Sequence, residues 1–300
     1  MAVGSIIKKA RYLAVLGASL VLLSCAKTSP RFEQAISLAQ DGRSGNDIFT
    51  ATYAQHGGER VANLHDLNVA IDGEWHYLIT KIQPEVTDSE YRQRSEERLV
   101  LSPRLYAVRY SGTAGSKQVL RTTESIQVSY NDARETSDIT LGAAALTSDA
   151  FFLFSLGPLA LANRVSEWQR LADETSKGRH YYRINGEMVP GIGLSKSDYI
   201  TLWVDKETKL THRLHITLDG FEKTKGAHVD THYLHFHDID GLVLPTHFFE
   251  RVVGPISIDA HEWWYTGFDV NRGLTQDDLS IEGWSEKALV PATPFQGKHD

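Results

Sequence analysis

Thirteen histidines are spread over the 300 residues, and seven of them fall between positions 212 and 247. In "THYLHFHD", His235 and His237 are two apart, so on a strand they share one face. On the preceding predicted strand, Leu214, Ile216 and Leu218 share a face and leave Arg213 and His215 on the other. If Leu214 and Ile216 look the same way as Leu234 and Phe236, then His215 joins His235 and His237. Three imidazoles gathered in this way could hold zinc at N–Zn distances of ~2.0–2.1 Å, the chemistry of a metal-dependent hydrolase. The competing reading is a solvated face with incidental histidines, since neither a metal-binding cysteine pattern nor a His-Glu-x-x-His helix accompanies them. Other candidates are thinner. "HGG" at His56–Gly58 has the look of an esterase oxyanion loop, but no Gly-x-Ser-x-Gly elbow exists to serve it. "GIGLSKSD" at 191–198 lacks the spacing of a phosphate loop. Glu96 and Glu97 are adjacent on a predicted strand, so they face opposite ways and cannot work as a pair. The residues therefore point to a non-enzymatic protein without a cofactor.

The single cysteine carries a different kind of chemistry. "MAVGSIIKKARYLAVLGASLVLLSCAK" opens with the basic residues Lys8, Lys9 and Arg11, and an apolar stretch from Leu13 to Leu23 leads into Ser24-Cys25. This is the layout of a secretory signal, and Leu-Leu-Ser-Cys resembles the bacterial lipobox, whose cysteine receives a diacylglyceryl thioether. The expectation is a signal peptide over 1–24 and a lipid anchor on Cys25. A lone thiol excludes an intrachain disulfide. Ala26, rather than Asp, after the cysteine suggests delivery to the periplasmic face of a Gram-negative outer membrane. Without the leader, 28 basic residues stand against 38 acidic ones, a formal charge of −10. A chain so acidic and without a basic block is a poor nucleic-acid binder. Contact with the membrane is expected through the anchor.

The elements that would position these residues are mostly strands. Residues 25–45 read as a tether, and 46–300 as one domain. A helix from Ile48 to about Gln55 is expected, capped by Asn46 or Asp47, stopped at Gly57-Gly58, and buried through Ile48, Phe49, Tyr53 and Ala54. "LHDLNVAIDGEWHYLITKIQ" suggests a hairpin turning at Asp72-Gly73. Further strand pairs are expected around Ser102-Pro103, within 117–132 and within 166–189. Hairpins follow at Lys206-Glu207 and Asp240-Gly241, and "ISIDAHEWWYTGFDVN" supplies a last strand. Ten or more short antiparallel strands with few helices call for a mainly β, α+β fold: a strongly curved antiparallel sheet or incomplete β-barrel, with one or two helices covering the concave face.

"LWVDKETKLTHRLHITLDG" followed by "THYLHFHDIDGLVLPTHFFER", together with "HGGERVANLHDLNVAIDG" nearer the start, resembles the LolA/LolB-like superfamily of periplasmic lipoprotein carriers and their lipoprotein relatives. The resemblance spans most of 47–266. It implies a half-barrel whose apolar concave side is closed by helices and receives acyl chains.

This gives a possible use to "SDAFFLFSLGPLALANR", residues 148–164, which carries no charge between Asp149 and Arg164. On a helix, Phe151, Phe152, Phe154, Leu156, Leu159 and Leu161 point to every side, so the segment is either core or the wall of an apolar cavity. Gly157-Pro158 would kink it in the middle. The expected partner is a lipid or other hydrophobic small molecule, bound by a lipid-anchored protein with a possible carrier role. The alternative is an interaction scaffold of the same fold, its cavity filled by its own side chains.

Overall fold

The computed structural model describes residues 41–284. Cys25, the signal segment and most of the tether lie outside the described residues. Thirteen strands form one curved, unclosed antiparallel sheet in the order β6-β5-β4-β3-β2-β1-β13-β12-β11-β10-β9-β8-β7. The incomplete barrel expected from the strand pattern is therefore the fold observed. Strands β1 (Asp66–Trp75), β2 (Arg94–Val100), β3 (Leu105–Gly112), β4 (Gly115–Thr122), β5 (Ile126–Tyr130) and β6 (Ala133–Glu135) step outward from the sheet centre to one edge. Strands β7 (Gln169–Ser176), β8 (Arg179–Met188), β9 (Asp198–Asp205), β10 (Thr211–Thr217), β11 (His228–Ile239), β12 (Leu242–Gly254) and β13 (Ile258–Val270) return from the far edge to pair with β1.

The link between the two edges must cross the sheet, and it does so as a helix. Besides α1 (Gly45–Gln55), α2 (Tyr77–Ile82) and α3 (Pro84–Thr87), the chain forms α4 (Asp138–Leu156), which lies against the inner face of the sheet. The ring of Trp263 on β13 meets Phe151 at 5.1 Å and Phe154 at 5.9 Å, and stacks on Phe248 of β12 at 4.9 Å. On the other side, a Cβ built on Gly142 would sit 3.2 Å from Phe221, and Gly193 presses on Leu146. From Gly142 onward the helix is enclosed, which is why apolar residues occupy its whole circumference there. The stretch Asp138–Ala160 is long and apolar enough to cross a membrane, yet most of it is buried inside the protein.

Several expectations need correction. Gly157-Pro158 does not kink the helix mid-way: Gly157, at φ 54, ends α4, and a 3-10 turn follows. The helix instead starts at Asp138, ten residues before the apolar run begins. Asp72-Gly73 is not a turn, because β1 runs through it with Gly73 opposite Trp263. Only glycine fits there, since a Cβ would lie 2.7 Å from the Glu262 carbonyl oxygen. The apolar residues beyond it are spaced i, i+4 (Leu78, Ile82) and form helix α2 rather than a returning strand. The cap of α1 is Ser44, not Asn46 or Asp47. Its Oγ accepts from the Asp47 N–H at 3.1 Å while Asp47 accepts from the Ser44 N–H at 2.9 Å, a reciprocal capping box. Asn46 is used elsewhere, accepting from the Trp168 N–H at 2.9 Å. Ile48 of α1 is buried and Phe49 and Tyr53 are partly so, but Ala54 is exposed and Thr52 takes the expected inner position.

Candidate functional site

A cavity of about 250 Å³ opens between α4, the α2–α3 segment and the inner faces of β11, β12 and β13. Leu146, Ala150, Phe151 and Phe154 of α4 form one wall. Val229, Val252 and Ala260 form the sheet side, and Ile79, Ile82 and Val86 the third. Its mouth is apolar on the outside as well. Ile82 and Ile256, both lining residues, are 42% and 44% exposed, and Tyr77 and Leu78 stand beside them on α2. Lys223 and Lys225 lie on the same rim; Lys223 pairs with Glu85, and Lys225 lies 3.7 Å from Glu222.

Of the six residues expected to wall an apolar cavity, the structure puts Phe151 and Phe154 on this one. Phe152 points elsewhere, buried with the Arg104 guanidinium 4.7 Å from its ring centre. Leu156, Leu159 and Leu161 are packed in the core away from the lining.

Besides the two rim lysines, two charged residues deeper on the lining were missed from the sequence. Arg92 is 5% exposed, and its guanidinium carbon lies 5.1 Å from the ring centres of Trp75 and Tyr110 and 5.2 Å from that of Phe151. Its Nη1 donates to the Val86 carbonyl at 2.5 Å, tying the segment before β2 to α3. Three ring faces and the nearby Glu97 and Asp88 keep this buried cation charged. Glu250 is partly buried on β12, opposite His261 of β13, on the face shared with Phe248 and Val252. Burial pushes its carboxyl up to about 7, against the pull of Arg92. Alternation contained the signal for Glu250: in "FFERVV" it has the same parity as Phe248 and Val252, which face the core.

The histidines do not converge. His215 on β10 sits opposite Asp230, and its Nδ1 is hydrogen-bonded to the Asp230 carboxylate at 2.6 Å. Its Nε2 lies 2.9 Å from Nδ1 of His228. His235 is five residues further along β11, about 17 Å at 3.4 Å per residue. There His235, at φ 51, leaves the extended conformation on which the shared face depended, and Tyr233 and Phe236 both pack against the core. His235 and His237 are exposed. Among the described residues no group of three His, Cys, Asp or Glu side chains is placed to hold a metal.

His56 is a structural clasp and not part of an oxyanion loop. Its Nδ1 donates to the Val243 carbonyl at 2.7 Å and its Nε2 accepts from the Thr211 N–H at 3.0 Å. Burial pulls its imidazole down to about 4, so both bonds are made by the neutral ring. In the 191–198 loop the Gly193 N–H donates to buried Asp149 at 2.9 Å, and Asp198 accepts from the Ile192 N–H at 2.9 Å. These amides hold the loop to the protein.

No protein-family model matches the sequence, and no curated protein matches it. Similar solved structures exist. An outer membrane lipoprotein-sorting protein domain from Vibrio parahaemolyticus is 12% identical, with a TM-score of 0.42 over 79% of this chain and 97% of that one. A DUF1329 family protein from Desulfovibrio piger is 12% identical, with a TM-score of 0.45 over 81% and 99%. A LolA superfamily protein from Nitrosomonas europaea is 11% identical, with a TM-score of 0.49 over 80% and 99%. The likeness of this chain is thus to LolA-like and lipoprotein-sorting structures.

Proposed function

We propose that this is a lipid-anchored envelope protein that binds a hydrophobic ligand, a lipid or an acyl chain, in the cavity beneath α4. The observation that supports the reading is the cavity itself. It is walled by Leu146, Phe151, Phe154, Val229 and Val252, and it is entered past exposed Ile82 and Ile256. A concave, mostly apolar pocket with few polar groups is the ordinary form of a small-molecule site, and each methylene moved from water into it contributes ~0.8 kcal/mol. The cavity favours binding over a scaffold filled by its own side chains. The anchor on Cys25, the outer-membrane periplasmic location and a carrier role belong to the same proposal and rest on the sequence motifs.

Native mass spectrometry after mild extraction, paired with uptake of a fluorescent fatty acid by the delipidated protein, tests the reading. A copurifying apolar molecule and saturable uptake are expected. A protein that emerges empty and takes up no probe would leave the scaffold reading in its place.

A further inference from the structure

The cavity contains a carboxyl that the protein leaves without a hydrogen-bond partner. Among the described residues, no group hydrogen-bonds Glu250. Its neighbours along the strand, Phe248 and Val252, offer none, and Thr231 and His261, opposite it on β11 and β13, make no hydrogen bond to it. Buried or half-buried carboxylates are normally satisfied, because desolvation without a hydrogen bond is costly. Arg92 does not fill the gap. It already donates to Val86 and is sandwiched by three rings, and its unpartnered Nε is shut off from the cavity space. The two groups nevertheless mark the same closed end, since Arg92 is almost fully buried while Ile82 and Ile256 mark the open rim.

The geometry points to Glu250 as the polar anchor of the site: the ligand is an aliphatic amphiphile whose head donates hydrogen bonds, a hydroxyl or an amine, seated inward on Glu250 with its chain running toward the rim. This rests on the reading of the cavity as a ligand site and names the ligand's head chemistry. A carboxylate head is disfavoured, because it would lie against the Glu250 carboxylate; opposite it on β11 the Thr231 hydroxyl, also without a partner, adds a second neutral polar group. Besides Glu250, the charged groups lining this space are Arg92 from the segment before β2 and Lys223 and Lys225 on the rim, and the titratable group behind it is His261 of β13, opposite Glu250 and stacked on Trp75. Arg92 stays cationic, and burial holds His261 well below the usual imidazole range, hence neutral.

The test compares three ligands of one chain length (decylamine, decanol and decanoate) by titration calorimetry on the mature chain, residues 25–300 made without the leader and carrying Cys25→Ala, which needs no detergent. At pH 8, decylamine and decanol should bind at least about tenfold tighter than decanoate, the size of one hydrogen bond to a charged group. Decylamine should tighten from pH 6 to pH 8 as Glu250 ionises. Glu250→Gln should remove that pH dependence and about tenfold of the amine affinity, and Glu250→Leu should level all three ligands. Melting curves show whether each variant is folded, and the near-isosteric glutamine carries the test if the leucine variant is not. If decanoate binds best, or if the ranking is the same in Glu250→Gln, the anchor is wrong while the cavity reading stands. If none of the three binds wild type, both fall.

Discussion

The backbone N–H of Thr211 donates to Nε2 of His56 across 3.0 Å, joining the end of α1 to the start of β10 while the same ring reaches Val243 of β12. The ring works only when neutral, because a protonated Nε2 cannot accept. Stability contributed here is complete above the ordinary imidazole range and is lost as pH falls from about 6.5 toward about 4. His56→Ala should cost about 2–4 kcal/mol at pH 7, from two buried bonds and a void. In urea titrations the gap between variant and wild type should narrow at pH 4.5. A gap that does not change with pH would mean that packing alone explains the loss.

Phe151 and Phe152 are neighbours in sequence with different surroundings. Phe151 faces the cavity and Phe152 faces Arg104. Phe152→Ala should lower stability by about 3–5 kcal/mol and leave fatty-acid uptake within about twofold. Phe151→Ala and Phe154→Ala should change probe affinity about tenfold or more. Fluorescence binding beside thermal melts checks this. If all three variants lose only stability, the apolar run is core throughout.

Glu97 is fully buried on β2, its Oε1 accepting from Ser95 Oγ at 3.0 Å, and burial pushes its carboxyl up to about 7. A carboxyl with a raised native pKa binds its proton more tightly when folded than when unfolded. It therefore costs stability as pH rises from about 4.5 through about 7. The buried histidines slope the opposite way over part of that window, so the wild-type profile alone would not isolate it. The difference profile does: Glu97→Gln should gain on wild type by on the order of 2 kcal/mol between pH 5 and pH 8. A flat difference would show that Glu97 titrates normally.

Cys25→Ala tests the anchor. The variant should lose acyl labelling and leave the membrane fraction. Retention after a carbonate wash would show that something other than the thioether holds the protein there.

The strand meander was legible because its turns are local chemistry. Asp240 and Gly241 both take positive φ, as a two-residue hairpin turn requires. The same dipeptide type misled at Asp72-Gly73, where the glycine answers a close approach from β13, nearly two hundred residues later in the chain. The first half of α4 was missed because Gly142 and Ala143–Ala145 are small, and their smallness reflects tight packing that only the tertiary structure reveals. The cavity was half legible: its Phe wall stood out, whereas Glu250 is marked only by its parity with Phe248 and Val252, and Arg92, in the segment before β2, has no periodic signal at all. The histidine cluster failed because His215 lies opposite Asp230, five residues from His235, and because His235 takes a positive φ that parity counting cannot foresee.

The pairing of β1 with β13 has a consequence for how the chain is made. The two strands are the most distant in sequence, yet they are neighbours at the middle of the sheet. Until residues 258–270 have been synthesised, β1 has one side unpaired, with Val69 and Ile71 ready to zip onto any other strand. An exposed edge of that kind is an aggregation hazard in an incomplete chain, and a contact of such high order forms slowly. The nascent protein should therefore depend on holdase chaperones until its last strand arrives, and truncations ending before Ile258 should be insoluble rather than merely unstable.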